Sequence, residues 1–207
     1  TNGRGIAAFN SSTGTSLTIS AAAVSGHLDG FRADNSGTGA LTVTATGAVN
    51  GTTRHGILAF NARTAGTSLT IAAAAVTGRT EGIRADNSGT GALSVTTTGD
   101  VTGTTSDGIL AINSSAGTSL TISAAAVTGA AQGIYARNSG TGTLSVTTTG
   151  AVTGTGGSGI GAIGKGLTIS AAAVSGNLNG IFAKGNGGAL SVTTTGAVTG
   201  TSSIGIR

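Results

Sequence analysis

Apolar residues recur along this chain at every second position, in short runs separated by clusters of Gly, Ser, Thr and Asn. Leu69 and Ile71, then Ile83 and Ala85, then Leu93 and Val95 show the spacing. A period of two is that of an extended strand, whose successive side chains point to opposite faces. Thr, Val and Ile favour strands and Gly interrupts helices. The alanine run Ala72 to Ala75 is the one helix-like feature, and it is too short to nucleate a helix.

The runs are organised by a tandem repeat. Gly-Ile, once Gly-Phe, recurs at Gly5, Gly30, Gly56, Gly82, Gly108, Gly133, Gly159, Gly180 and Gly205, with spacings of 25, 26, 26, 26, 25, 26, 21 and 25. Odd units carry TSLTISAAAV-type segments (Leu17 to Val24, Leu69 to Val76, Leu120 to Val127, Leu167 to Val174). Even units carry LSVTTTGxV-type segments (Leu41 to Val49, Leu93 to Val101, Leu144 to Val152, Leu190 to Val198). The full period is therefore a pair of units of about 52 residues, present four times over roughly 5–55, 56–107, 108–158 and 159–204. The seventh unit is shortened in its turn near Lys165.

Three short strands per unit, repeated in tandem, predict one all-β domain over 1–207. The expected fold is a parallel β-helix, or β-solenoid, of about eight coils stacked at roughly 4.8 Å. One inward column should hold Ile6, Phe31, Ile57, Ile83, Ile109, Ile134, Ile160 and Ile181, and the next Ala8, Ala33, Ala59, Ala85, Ala111, Ala136, Ala162 and Ala183. Strand two adds a Leu column from Leu17 and an Ile/Val column from Ile19 and Val43, and strand three a Val column from Val24. Asn10, Asn35, Asn61, Asn87, Asn113 and Asn138 predict an amide ladder that ends where Gly164 and Gly185 replace Asn.

Composition narrows the reading. Gly (39), Thr (38), Ala (34) and Ser (22) supply nearly two-thirds of 207 residues, and Pro, Cys, Met and Trp are all absent. Thiolate chemistry and disulfides are excluded. No apolar run reaches the length of a transmembrane helix. Hydrophobic residues make up 38% of the chain and charged ones 8%, a balance that opposes disorder. A net charge of +4 is a weak field and no nucleic-acid footprint.

The segment from Gly133 to Ile160, GIYARNSGTGTLSVTTTGAVTGTGGSGI, resembles the passenger repeats of bacterial autotransporters, and the resemblance spans essentially the whole chain. It implies a secreted right-handed β-helix carried to the bacterial cell surface by a covalently linked outer-membrane β-barrel lying outside this segment. It also implies an adhesin-type role, with host or bacterial surface ligands as partners. The ends show no capping element, so the segment reads as an excerpt of a longer solenoid, with end-to-end assembly into an extracellular filament as the rival.

Four sets of outward residues are candidates for function. The exterior of strand two is an array of hydroxyls. One column holds Thr18, Thr42, Thr70, Ser94, Thr121, Ser145, Thr168 and Ser191, and the other Ser20, Thr44, Ala72, Thr96, Ser123, Thr147, Ser170 and Thr193. A lattice of about 4.8 by 6.7 Å is similar to the stacked-threonine face of ice-binding solenoids, although Ala72 and the serines interrupt it. On strand one, Phe9, Leu58, Phe60, Leu110, Ile112 and Ile163 are expected to be exposed and to form a lateral interface with a neighbouring solenoid or another partner. Arg32 with Asp34 and Arg84 with Asp86 read as surface ion pairs. The two carboxylates lie two rungs apart, about 10 Å, at the limit for an inverting glycosidase pair. The residue before each Gly forms a turn column of Asp29, His55, Glu81, Asp107, Gln132, Ser158 and Asn179, read as solvated and neutralised by Arg54 and Arg79. That column is the only cluster of metal-type ligands, and no metal, cofactor or catalytic residue is assigned. The expectation is a structural, non-enzymatic segment.

Overall fold

The structure, a computed structural model, describes residues 3–207. It is a parallel β-solenoid of eight coils built from 23 strands, with no helix among the described residues. Coil one runs through Ile6–Asn10, Leu17–Ala21 and Val24–Gly26, and coil eight through Ile181–Gly185, Leu190–Thr194 and Val198–Gly200. The first, second and third strands of successive coils stack into sheets A, B and C. Each pairing between them is parallel, as strands related by a full coil must be.

The predicted inward columns are those observed. Ile6, Phe31, Ile57, Ile83, Ile109, Ile134, Ile160 and Ile181 stand in one register along sheet A. Sheet B stacks Leu on Leu and Ile on Val, and sheet C stacks Val on Val. Small Ala lies beside these branched side chains, and the middle coils enclose a dry interior in which Ile57, Ile71, Leu93 and Ile122 are wholly buried. Each such side chain contributes about 1.5–3 kcal/mol relative to exposure, and nearly all of that depends on the coil above and below. In coil eight the segment around Ile206 still pairs with Ile181, but the second strand has a neighbour on one side only, and its Leu190 is 50% exposed.

The recurrent Gly-Ile dipeptide follows from the corner between sheets C and A. A Cβ added at Gly82 would lie 2.6 Å from Val101 Cγ1 and 2.7 Å from the Gly108 carbonyl oxygen. Only a residue without a side chain lets the strand start that close to the next coil.

The amide ladder closes the far end of sheet A. Each Asn Nδ2 donates to the Oδ1 one coil on: Asn10 to Asn35 at 2.8 Å, Asn35 to Asn61 at 3.0 Å, Asn61 to Asn87 at 2.8 Å, Asn87 to Asn113 at 2.9 Å and Asn113 to Asn138 at 2.9 Å. The same amides bind turn backbone, as Asn87 does at the Gly91 carbonyl (3.2 Å) and the Gly89 N–H (3.2 Å). The ladder stops at Asn138. In coil seven the shortened turn disappears, and one strand, Ile160–Ala171, runs from sheet A into sheet B. Gly164 sits where Leu144 leaves no room for a side chain, and Gly166 takes a φ of +51°.

Candidate interaction surfaces

The strand-two array forms as predicted. Thr18 pairs with Thr42, Thr42 with Thr70, Thr70 with Ser94, Ser94 with Thr121, Thr121 with Ser145, Ser145 with Thr168 and Thr168 with Ser191. The second column keeps the same register from Ser20 to Thr193. Hydroxyls are therefore presented in step across eight rungs. At Ala72 the column loses one, and a shallow depression opens between Thr44 and Thr96.

The apolar stripe on sheet A departs from expectation. Phe9 is 62% exposed, but Leu58 is only 3% exposed, and Phe60, Leu110, Ile112 and Ile163 are half-buried. The cover comes from the intervening charged rungs. Leu58 lies between Arg32 and Arg84, and Phe60 between Asp34 and Asp86. The Arg32 guanidinium carbon lies 5.7 Å from the Phe9 ring centroid and that of Arg84 5.5 Å from Phe60. Each arginine holds its guanidinium over the phenylalanine of the preceding rung while its Nε donates to its own carboxylate, Arg32 Nε to Asp34 Oδ2 at 2.9 Å and Arg84 Nε to Asp86 Oδ2 at 3.0 Å. The two aspartates are held as ion pairs with the Phe60 rung between them.

The turn column is also different: it is packed under the corner, not solvated. Asp29 is 0% exposed, and His55 and Glu81 are buried. His55 Nδ1 lies 2.9 Å from Asp29 Oδ1, and His55 Nε2 lies 3.2 Å from Glu81 Oε2. One imidazole thus spans the carboxylates of the coils on either side, with one ring nitrogen within hydrogen-bond distance of each. Arg4 Nε completes Asp29 at 2.9 Å, while Arg54 approaches no nearer than 4.0 Å and Arg79 is exposed. Burial pushes Asp29 upward, but hydrogen bonds from His55 and Arg4 outweigh it and hold the carboxyl below its usual range. The His55 hydrogen bond is the main cause that brings Glu81 down to about 2, against burial. Asp107 is raised by burial, with the nearby Glu81 charge adding to it and the Gln132 N–H, 2.9 Å away, opposing it. Among the described residues no three such side chains converge as a metal ion requires. The spacing of one coil between Asp29, His55 and Glu81 was the signal for this ladder; periodicity alone does not say which way a turn side chain points.

Compared with known protein families, with curated proteins and with solved structures, the chain matches none of them. No described helix is long and apolar enough to cross a membrane.

One property of the surface emerges only when charge is placed on the coils. All six carboxylates lie between Asp29 and Asp107, and six arginines accompany them in that half of the chain. Beyond Asp107 the chain holds Arg137, Lys165, Lys184 and Arg207 and no acid, so the whole formal net charge of +4 belongs to the second half.

Proposed function

We propose that this chain is a rigid stalk or passenger segment of a secreted, cell-surface adhesin of the autotransporter type, without catalysis of its own. The supporting observation is the continuous parallel stacking of all eight coils, in which the one register shift, between Thr143 and Leu144, leaves the inward columns aligned. Such a stack transmits force along its axis and holds whatever it carries at a defined distance, about 38 Å for eight rungs. The passenger-like repeat sequence supports the export route. Sequencing the source gene on both sides of this segment tests it. A signal peptide upstream and a membrane β-barrel downstream are expected, with the segment cleaved by protease added to intact cells. A leaderless gene and a protease-inaccessible product would overturn the reading.

A second reading, that sheet B orders water at an ice surface, is supported by its hydroxyl columns standing in register from rung to rung. Under it, the isolated chain shapes ice crystals at micromolar concentration and Thr96→Leu weakens the effect. Unshaped crystals would leave the lattice as a soluble strand surface.

A further inference from the structure

Two neighbouring outward columns of sheet A change character part-way along the axis. One reads Arg32, Leu58, Arg84, Leu110, Tyr135, Gly161, Phe182; the other reads Asp34, Phe60, Asp86, Ile112, Arg137, Ile163, Lys184. In coils two and four the pair is Arg then Asp, and the charge is consumed internally. In coils six and eight the same two places hold an aromatic then a cation. Arg137 and Lys184 are exposed and make no ion pair among the described residues.

The surroundings of Ile163 gather the rest. Arg137 and Lys184 flank it along the axis. Because coil seven runs straight through its shortened turn, exposed Lys165 stands one strand step beyond Ile163 on the same side. In the adjacent column Gly161 carries no side chain between Tyr135 and Phe182, and the Gln132 carboxamide oxygen occupies the space a Cβ there would need. The Arg207 guanidinium lies 5.9 Å from the Phe182 ring centroid. The result is a file of cations parallel to a file of two aromatic rings, with an amide between the rings.

We propose that this strip docks a linear polysaccharide bearing carboxylate groups, lying along the solenoid axis. Its carboxylates meet Arg137, Lys165 and Lys184, with Arg207 held against Phe182 as a fourth cation, and the C–H face of a sugar ring meets the half-exposed ring of Tyr135. Cations of one file recur at two rungs, about 10 Å apart, which suits a chain with charges along one edge. A bilayer surface attracts broader basic clusters, and duplex DNA demands a denser array of phosphate contacts. The inference is separate from the export route, because it is measured on the isolated chain.

The test is binding of the full chain to polygalacturonate fragments by calorimetry, with neutral dextran, phosphatidylglycerol vesicles and duplex DNA as comparisons. Polygalacturonate is expected to bind, dextran not to bind, and the affinity to fall as salt rises from about 0.02 to 0.15 M. The double variant Arg137→Ser/Lys184→Ser loses at least tenfold in affinity, whereas Arg63→Ser/Arg79→Ser, which removes two exposed cations from the neutral half, loses none. Tyr135→Ala loses severalfold. Lys165 and Lys184 are the only lysines, so in the unaltered chain bound polygalacturonate should protect both from acetylation, a readout independent of how any variant folds. Equal loss in the two double variants, unprotected lysines, or tighter binding to vesicles or DNA would overturn the proposal.

Discussion

Coils one to four and coils five to eight share one core and differ in how they handle charge. In the first half, four of the six carboxylates are tied down: Asp29 by Arg4 and His55, Glu81 by His55, Asp34 and Asp86 by the arginines beside them. In the second half no carboxylate side chain exists, and the cations face water. The inner columns hardly change between the halves because a stacked core admits little change of volume. The outer columns are free of that constraint, so a repeat protein keeps its individuality there. The first half pairs most of its carboxylates, across coils at Asp29 and Glu81 and within a strand at Asp34 and Asp86; the second half has cations and no side-chain carboxylate to pair them.

The sharpest way to break the contrast is His55→Ala. It strips two buried carboxylates of their shared imidazole partner, and removing one partner of a buried network of this kind costs about 3–5 kcal/mol. Hydrogen exchange should show coils two to four opening while coils five to eight stay protected, since each coil depends on its neighbours. Uniform loss of protection would show that the halves unfold as one.

Acid should act on the same half. Glu81 falls from 4.5 to about 2 on folding, so its contribution is present above the ordinary carboxylate range and lost as the pH drops through about 2. At about 1.36 kcal/mol per unit that is about 3 kcal/mol at most, and Asp29 adds to it in the same sense. Asp107 works the other way: its raised value means its protonation favours the folded chain as pH falls. Asp107→Asn should therefore stabilise the chain at neutral pH and steepen its acid sensitivity. Thermal melts of both chains between pH 7 and 2 check this.

Asn113→Ala, at the seam between the halves, should cost about 1–3 kcal/mol, because it leaves Asn87 Nδ2 and Asn138 Oδ1 without their ladder partners. A denaturant titration measures it. The smallest effect separates the outer faces. Arg84→Ser should lose about 0.5–1 kcal/mol with its ion pair and its contact on Phe60. Arg137→Ser, which breaks no contact of that kind, should stay within about 0.5 kcal/mol of the parent. Equal losses would mean that Arg137 is as structural as Arg84.

The coil length, the three strands per coil, the identity of each inward column and the extent of the Asn ladder were all legible in the residues. They follow from period-two alternation and from a repeat that returns the same side chain to the same place once per coil. What alternation cannot express is contact between outward side chains of adjacent rungs. Leu58 reads as outward and is outward, yet it is covered because Arg32 and Arg84 lie on either side of it. Asp29, His55 and Glu81 occupy turn positions, where no periodicity fixes direction, and only the packed corner turns them inward against one another. Arg137, Lys165 and Lys184 are far apart along the chain, and it is the stacking of coils six to eight that brings them around Ile163. Local spacing determined which side of each strand faces the core; neighbouring coils decided which outer side chains are covered, paired or left to water.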